Sequence, residues 1–385
     1  MYVIPLNAYS GKYMKNSYTT TTESKKPAQL RSLQGLRAVA FLTILSQHAE
    51  LADIGAWGIS LFVILSGFVL AYRYEDEVPK EHGPAFALEH IRRLYPLHLV
   101  MTLAAVGLVL IGAIAEHSAP GWDFWVKLGL NLALLQVWVP NSEIVYSLNG
   151  VSWFLSLCFF LYLCFPLLHR QLTRIRSGKR LLIMAILIWL TQGILAFCLR
   201  GLPNGLISWI TYNCPLFRLG DFTIGILTGR LFLMQREAAH RRTAQTGTGR
   251  ARLSALFSEL GLWCLLVAVV LSSLFEIGPG SIDWLRYNVL YTPIVAALLY
   301  VTAGERGPIA GFLAFKPMVW LGDRSRYTYL IHQIVLTYLN LFCLHFAGRT
   351  LAPILRLLIA LAVSLAAAEG CHRIRIFASH KRTIS

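Results

Sequence analysis

Long uninterrupted apolar segments constrain this chain more than any other feature of its sequence. Two of them read LHLVMTLAAVGLVLIGAIA over residues 97–115 and LLIMAILIWLTQGILAF over residues 181–197. At a rise of about 1.5 Å per residue, helices of this length span much of a hydrocarbon core about 30 Å thick. Hydrophobic residues make up 56% of the 385 residues and charged residues only 14%. The sequence therefore predicts an all-α fold, a polytopic membrane helix bundle.

The apolar segments predict about ten transmembrane helices, near residues 33–50, 55–73, 94–116, 151–168, 181–199, 214–234, 255–274, 286–303, 327–346 and 352–369. Basic residues concentrate in alternate connecting segments, so both termini are predicted to be cytoplasmic. The formal net charge of +16 then reflects membrane topology and attraction to anionic lipid of the bilayer. We expect no nucleic-acid partner.

One further apolar segment, FWVKLGLNLALLQVWVP over residues 124–140, could be counted as an eleventh span. Counting it would place the basic sequence HRQLTRIRSGKR (169–180) outside the cell. Trp125, Lys127 and Trp138 suit the level of the lipid headgroups. We therefore favour an interfacial or re-entrant segment, with a true crossing as the alternative.

The organisation along the chain is simple. Residues 1–30 are polar and lack the pattern of a cleaved secretory signal, which predicts a cytoplasmic N-terminal tail. Residues 31–370 form the transmembrane domain, and residues 371–385 form a basic cytoplasmic tail. The seven cysteines include no CxxC pair, and no metal or nucleotide-binding motif occurs. We expect no metal site and no permanently bound cofactor.

Ionisable residues inside the predicted spans are the first functional candidates, because placing such groups in hydrocarbon is costly. Arg37 and His48 lie eleven positions apart in the first span, about 16 Å along a helix. Arg218 and Asp221 share one face of the sixth span, and His332 lies in the ninth. Helix-packing histidines, a snorkelling Arg37 and a structural ion pair are the alternatives.

Six motifs, taken in order, resemble those of a known family. They are QGLRAVAFLTILSQH (34–48), WGISLFVILSGFVLAY (57–72), IRRLYPLH (91–98), SWFLSLCFFLYLCFP (152–166), FRLGDFTIG (217–225) and RYTYLIHQ (326–333). Their order and spacing are similar to those of acyltransferase family 3. Its members are integral-membrane enzymes that acylate O-antigen, other exported glycans, nodulation factors and some macrolides. The resemblance runs from about residue 31 to residue 370.

The resemblance implies roles for particular residues. Arg37 and His48 match the family's Arg-x10-His pair and become the catalytic candidates, with His48 as general base or acyl relay. Arg92, Arg93 and Tyr95 match a basic motif associated with the acyl donor, which in the family is acyl-CoA. The other candidate site residues are Ser66, Gly67, Trp153, Arg218, Asp221 and His332.

The resemblance also implies partners and a location. Acyl-CoA is expected as the donor substrate, with acetyl-CoA as the first candidate. A carbohydrate or glycosylated acceptor is expected on the extracytoplasmic side of the bacterial inner membrane. The competing interpretation is a membrane transporter or lipid-glycan flippase without acyl-transfer chemistry, because ten helices with buried ions also suit a permeation path. We find no convincing internal repeat of the kind that marks many transporters.

The chain departs from the family at one place. Where many bacterial members carry a WSLSVEEQFY-like stretch, this chain has WFLSLCFFLY over residues 153–162. Cys158 and Phe159 therefore stand at the two acidic positions. If a glutamate there orients the base or binds the acceptor, this protein uses another group or another acceptor.

Overall fold

The described part of the chain is helical, with short connections and no strand. The computed structural model describes residues 29–75, 77, 79, 81–242, 248–274, 285 and 288–384. Its helices are α1 (Arg31–His48), α2 (Ala56–Tyr74), α3 (Gly83–Ile91), α4 (Tyr95–Ala115), α5 (Trp122–Leu132), α6 (Ser142–Val145), α7 (Trp153–Leu172), α8 (Gly178–Leu199), α9 (Asn204–Ser208), α10 (Pro215–Arg242), α11 (Thr248–Leu274), α12 (Tyr291–Ala303), α13 (Pro308–Leu313), α14 (Lys316–Ala347) and α15 (Pro353–Ile384). The prediction of an all-α bundle is confirmed.

A helix occupies each of the ten positions predicted to span the membrane. Six helical segments have both the length and the hydropathy of a span: Ala56–Tyr74, Tyr95–Ala115, Gly150–Leu172, Gly178–Leu199, Lys316–Ala347 and Pro353–Ile374. Leu256–Ser272 and Tyr291–Ala303 are shorter apolar helices, and α1 and α10 complete the ten. The protein is thus a multi-pass membrane protein. Residues 1–28 of the predicted N-terminal tail lie outside the described residues, and α15 continues through the predicted C-terminal tail to Ile384.

The segment predicted to be interfacial or re-entrant does not form one long helix. Helix α5 has 11 residues, about 16 Å, which is half the thickness of a hydrocarbon core. The helix ends before Leu134, whose φ of 56° lies in the left-handed region. The Leu132 carbonyl accepts a hydrogen bond of 2.8 Å from the Tyr95 hydroxyl. Irregular backbone held against neighbouring helices in this way supports the re-entrant interpretation.

Helix α2 lies at the centre of the bundle. In its apolar 18-residue stretch 83% of the residues are buried, against 17% in that of α8. Small residues allow α2 and α10 to approach closely, as is common between membrane helices. Gly67 of α2 faces the Phe222 carbonyl, and Gly225 of α10 faces the Ile64 carbonyl. Gly67, a candidate site residue, therefore has a packing role in the structure.

The close approach at Gly67 leads to a prediction about stability. In Gly67→Ala the added Cβ would overlap the backbone oxygen of Phe222, and neither helix backbone can move away without disturbing its neighbours. We expect a loss of about 1–3 kcal/mol, measured as a lower melting temperature of the detergent-purified protein. Gly112→Ala is the matched control, because no atom lies within 4 Å of its added Cβ. Equal melting temperatures for the two variants would contradict this packing account.

Candidate active site

Two of the predicted site residues meet inside the helix bundle. Nδ1 of His48, the last residue of α1, lies 2.8 Å from Nε2 of His332 in α14. The two rings stack with their centroids 5.0 Å apart and 17° between their planes. His332 is fully buried and His48 is half-buried. We call these two residues the histidine pair.

The hydrogen bonds of the histidine pair fix where its protons lie. Nδ1 of His332 lies 3.2 Å from the Thr328 carbonyl, which can only accept, so this nitrogen carries a hydrogen. In a neutral His332, Nε2 is then an acceptor and takes the hydrogen of His48 Nδ1. The remaining nitrogen, Nε2 of a neutral His48, keeps its lone pair. The arrangement thus presents one basic nitrogen on the half-buried ring.

The histidine pair lies beside aromatic side chains, with His332 midway along α14. Helix α14 has 32 residues, about 48 Å, and His332 is about 24 Å from each end. The ring of Phe41 meets the His332 ring edge-on at 5.9 Å, and the Tyr329 ring lies 5.7 Å from it. Water is excluded from this side of the pair, and a hydrogen bond in such surroundings is stronger than in water.

The end of α1 is held in place by an ion pair just beyond His48. Glu50 has a φ of 59°, in the left-handed region. Nη2 of Arg356 in α15 donates to its carboxylate at 2.8 Å. Because Glu50 follows His48 by two residues, the contact ties the C-terminal end of α1 to α15.

Two buried arginines lie on the same helices as the histidine pair, towards the N-terminal end of each helix. Arg37 of α1 and Arg326 of α14 are 2% and 3% exposed. Arg37 donates to the Gln34 side chain at 3.5 Å, and its Nε and Nη2 have no hydrogen-bond partner among the described residues. Asp323 lies within electrostatic reach of both guanidinium groups. We call Arg37 and Arg326 the arginine pair; one carboxylate between two guanidiniums leaves a net positive charge that suits an anionic ligand.

The basic motif predicted to bind the donor forms the junction between α3 and α4. Arg92 and Arg93 lie 3.8 Å and 3.5 Å from the Glu89 carboxylate, and the Arg92 side chain is 63% exposed. Arg92 and Tyr95 also line an open cavity of about 830 Å³. The other walls come from Pro96 and from neighbouring residues of α3, α5 and α7. This volume is in the range of small-molecule sites.

Arg218 and Asp221 form a second buried cluster. Arg218 Nη1 lies 2.9 Å from Asp221 Oδ2, and both side chains are fully buried. Arg218 also donates to Ser60 of α2 at 3.2 Å, and Asp221 accepts from Gln192 of α8 at 3.2 Å and from Thr292 of α12 at 2.9 Å. The pair thus joins four helices, counting its own α10. We infer a structural role for it.

The remaining candidates, Trp153 and Ser66, contact residues other than the histidine pair. The Trp153 ring packs on Tyr212 at 5.3 Å, and Tyr212 in turn lies 5.2 Å from the Arg218 guanidinium. The Ser66 hydroxyl donates to the Phe62 carbonyl of its own helix at 2.7 Å. These contacts assign Trp153 to the cluster around Arg218, and Ser66 to the packed face of α2.

Sequence reasoning missed three contributors to this region. Arg326 is part of the motif RYTYLIHQ but was not singled out; a cation six residues before His332 in the same apolar helix is the signal that could have identified it. Asp323 could have been found on the same grounds. The contact between Glu50 and Arg356 joins residues 306 positions apart, and no local sequence pattern predicts it.

Comparisons with known proteins show the family of this chain. A family model described as an acyltransferase domain, of the acyltransferase 3 type, matches residues 30–369. The chain is 28% identical over 349 residues to acyltransferase MdmB of Streptomyces mycarofaciens, a match that covers 80% of each chain. It is 26% identical over 320 residues to the putative peptidoglycan O-acetyltransferase YrhL of Bacillus subtilis (strain 168), covering 79% of this chain and 48% of that one. No solved structure matches.

These findings decide between the two interpretations of the sequence. A membrane transporter or flippase without acyl-transfer chemistry does not fit a family match that extends over almost the whole helical part of the chain. The chain belongs to the acyltransferase 3 family and is a membrane-bound O-acyltransferase.

Proposed function

We propose that this enzyme moves an acyl group from cytosolic acyl-CoA to a hydroxyl of a carbohydrate or glycosylated acceptor on the extracytoplasmic side. His48 acts as the general base. The observation that carries the proposal is the hydrogen-bonded histidine pair inside the helix bundle, with the buried arginine pair on the side predicted to be cytoplasmic. The acceptor class is supported by the related protein described as a putative peptidoglycan O-acetyltransferase.

In the proposed step, the acceptor hydroxyl oxygen attacks the thioester carbonyl carbon. The new C–O bond forms and the C–S bond breaks, with CoA thiolate as the leaving group. Nε2 of His48 takes the hydroxyl proton and afterwards delivers it to the thiolate, so that the products are an ester and CoA thiol. General base catalysis of this kind typically contributes about 10² to 10⁴ in rate.

His332 supports the base without touching the substrate. By accepting from Nδ1 of His48, it selects the tautomer whose Nε2 is free for the hydroxyl proton. When His48 becomes an imidazolium, the same bond becomes charge-assisted and stronger. We therefore assign His332 as a positioning residue.

The arginine pair is proposed to hold the anionic part of the donor. Arg37 lies about 16 Å from His48 along α1. The pantetheine arm of CoA is a long extended chain that can bridge such a separation. Guanidinium groups are well suited to phosphate because they donate two parallel hydrogen bonds. The unpartnered Nε and Nη2 of Arg37 supply two such donors.

Arg92, Arg93 and Tyr95 are proposed to receive the donor before it reaches the arginine pair. The cavity lined by Arg92 and Tyr95 is open. Both arginines lie beside Glu89, which a phosphate group could displace as their partner. The positive charges of Arg92 and Arg93 would then attract the anionic acyl-CoA over a distance that depends on the ionic strength.

The exposed position of Arg92 allows a test of donor capture. We expect Arg92→Ala to raise KM for acetyl-CoA about 3- to 10-fold with kcat within about 2-fold, because a charge-assisted contact made in both the bound and transition states is lost. The effect on KM should shrink as salt is added. Arg180→Ala, an exposed arginine at the start of α8, is the control. An unchanged KM in Arg92→Ala would remove this residue from the donor path.

The sidedness of the reaction can be tested with membrane vesicles from cells that express the protein. [Acetyl-¹⁴C]acetyl-CoA is added to inside-out or right-side-out vesicles, and the label in extracted glycans is counted. We expect labelling in inside-out vesicles, where the cytoplasmic face meets the donor, and labelling in right-side-out vesicles only after permeabilisation. Equal labelling of both intact preparations would contradict a cytosolic donor.

A further inference from the structure

A small void borders Arg326 of the arginine pair and Tyr329, whose ring neighbours His332. Its volume is about 10 Å³, which is room for about one water-sized group. Helix α7 provides one wall, with Phe154, Leu155 and Cys158, and α14 provides another, with Tyr329 and Leu330. Most of the lining is aliphatic or aromatic, so the void suits a small apolar group.

The void is placed along the path that the proposed mechanism requires. Arg326 of the arginine pair borders it, and Tyr329, whose ring lies 5.7 Å from the His332 ring, also borders it. Arg326 and His332 are six residues apart on α14, about 9 Å along the helix. A donor held by its phosphates at the arginines, with its thioester carbonyl near His48, brings its acyl group to this part of the bundle.

We propose that this void holds the acyl group of the donor and restricts it to a short chain, with acetyl preferred. The inference rests on the proposed function and names the donor class for the same site. An acetyl methyl group fits a space of this size. A longer chain would press on Leu155, Cys158 and Phe154, which are 5%, 3% and 2% exposed and packed in the core. Overfilling of a packed core is unfavourable.

The expected selectivity follows from the cost of a misfitting methylene. Two ligands that differ by one methylene are distinguished about 10-fold or more by an apolar pocket that fits one of them. We therefore expect affinity to fall about 10-fold from an acetyl to a propionyl donor, and further for butyryl. Leu155 is the specificity-determining residue most easily shortened, because its side chain forms a wall of the void without bonding to the arginine or histidine pairs.

The test uses the full chain in lipid nanodiscs with non-hydrolysable thioether analogues of acetyl-, propionyl- and butyryl-CoA. Free CoA, which has no acyl group, is the reference ligand. Affinities of the analogues are expressed relative to CoA, so that a misfolded variant, which loses CoA as well, is recognised at once. We expect the wild type to prefer the acetyl analogue about 10-fold over propionyl. In Leu155→Ala we expect the preference to fall below about 3-fold, with the butyryl analogue gaining most.

Two further variants sharpen the result. Leu157→Ala makes the same change in the same helix, at a residue that is equally buried but does not line the void, and should keep the wild-type profile. Cys158→Leu fills the void and should weaken the acetyl analogue about 10-fold relative to CoA.

The outcomes separate this inference from the proposed function. If CoA and all analogues bind but the wild type shows no chain-length preference, the acyl site is overturned while the cytosolic donor stands. The same holds if Leu155→Ala and Leu157→Ala behave alike, or if Cys158→Leu leaves the relative affinity of the acetyl analogue unchanged. If neither CoA nor any analogue binds the folded wild type, the proposed donor fails and the acyl site fails with it.

Discussion

Replacing His48 by alanine is expected to lower the rate of acyl transfer about 10²- to 10⁴-fold while leaving membrane insertion and folding intact. The expected loss is large because Nε2 of His48 is the one basic nitrogen that the histidine pair presents. The side chain is half-buried at the end of α1, so its removal leaves little empty space in the core. Single-turnover rates with acetyl-CoA and membrane-extracted glycan acceptors measure the effect.

The control for His48→Ala is His345→Ala, an exposed histidine near the end of α14. It should retain the wild-type rate. The His48→Ala protein should also keep its KM for acetyl-CoA within about 2-fold, because the phosphates are held elsewhere. Transfer at a normal rate by a correctly inserted His48→Ala protein would eliminate His48 as the base.

Replacing His332 by alanine is expected to lower kcat about 10- to 100-fold, with little change in KM for the donor. Residues that orient a reactive imidazole through its second nitrogen typically contribute effects of this size or larger. Without His332, the tautomer and the ring orientation of His48 are no longer fixed by the bond of 2.8 Å between them. A cavity left in the core would lower the melting temperature as well, so loss of rate alone would not establish the role.

A conservative variant distinguishes positioning from packing. In His332→Gln the side-chain carbonyl can take the place of Nε2 and accept from His48 Nδ1. We therefore expect His332→Gln to recover a substantial part of kcat, whereas His332→Leu, which fills the space without an acceptor, should remain as slow as His332→Ala. Recovery of the wild-type rate in His332→Leu would show that the residue only fills space.

The helices of this protein could be predicted from sequence because each long apolar run carries its own signal. The segment at 124–140 was harder, since its composition resembles that of a span. The break before Leu134 and the contact of α5 with α4 support the interfacial or re-entrant placement. Such features depend on neighbouring helices, and the predicted interfacial or re-entrant placement came from charge topology instead.

The site was only partly predictable for a similar reason. His48 and His332 were each identifiable as ionisable residues inside apolar helices, but they are 284 positions apart, and their hydrogen bond depends on how α1 and α14 pack. Arg326 joins Arg37 through the same packing. Cys158, which stands where an acidic residue was expected from the family resemblance, proves to line the void beside Arg326 and Tyr162. That location could be known only from the fold.

The most direct test of the account is mass spectrometry of surface glycans and small glycosylated products from cells that express the wild type, His48→Ala or neither. We expect products that carry one additional acyl group on a hydroxyl in wild-type cells alone, with acetyl as the group. Acylated products in equal amount with His48→Ala, or none with a correctly inserted wild type supplied with acyl-CoA, would contradict it.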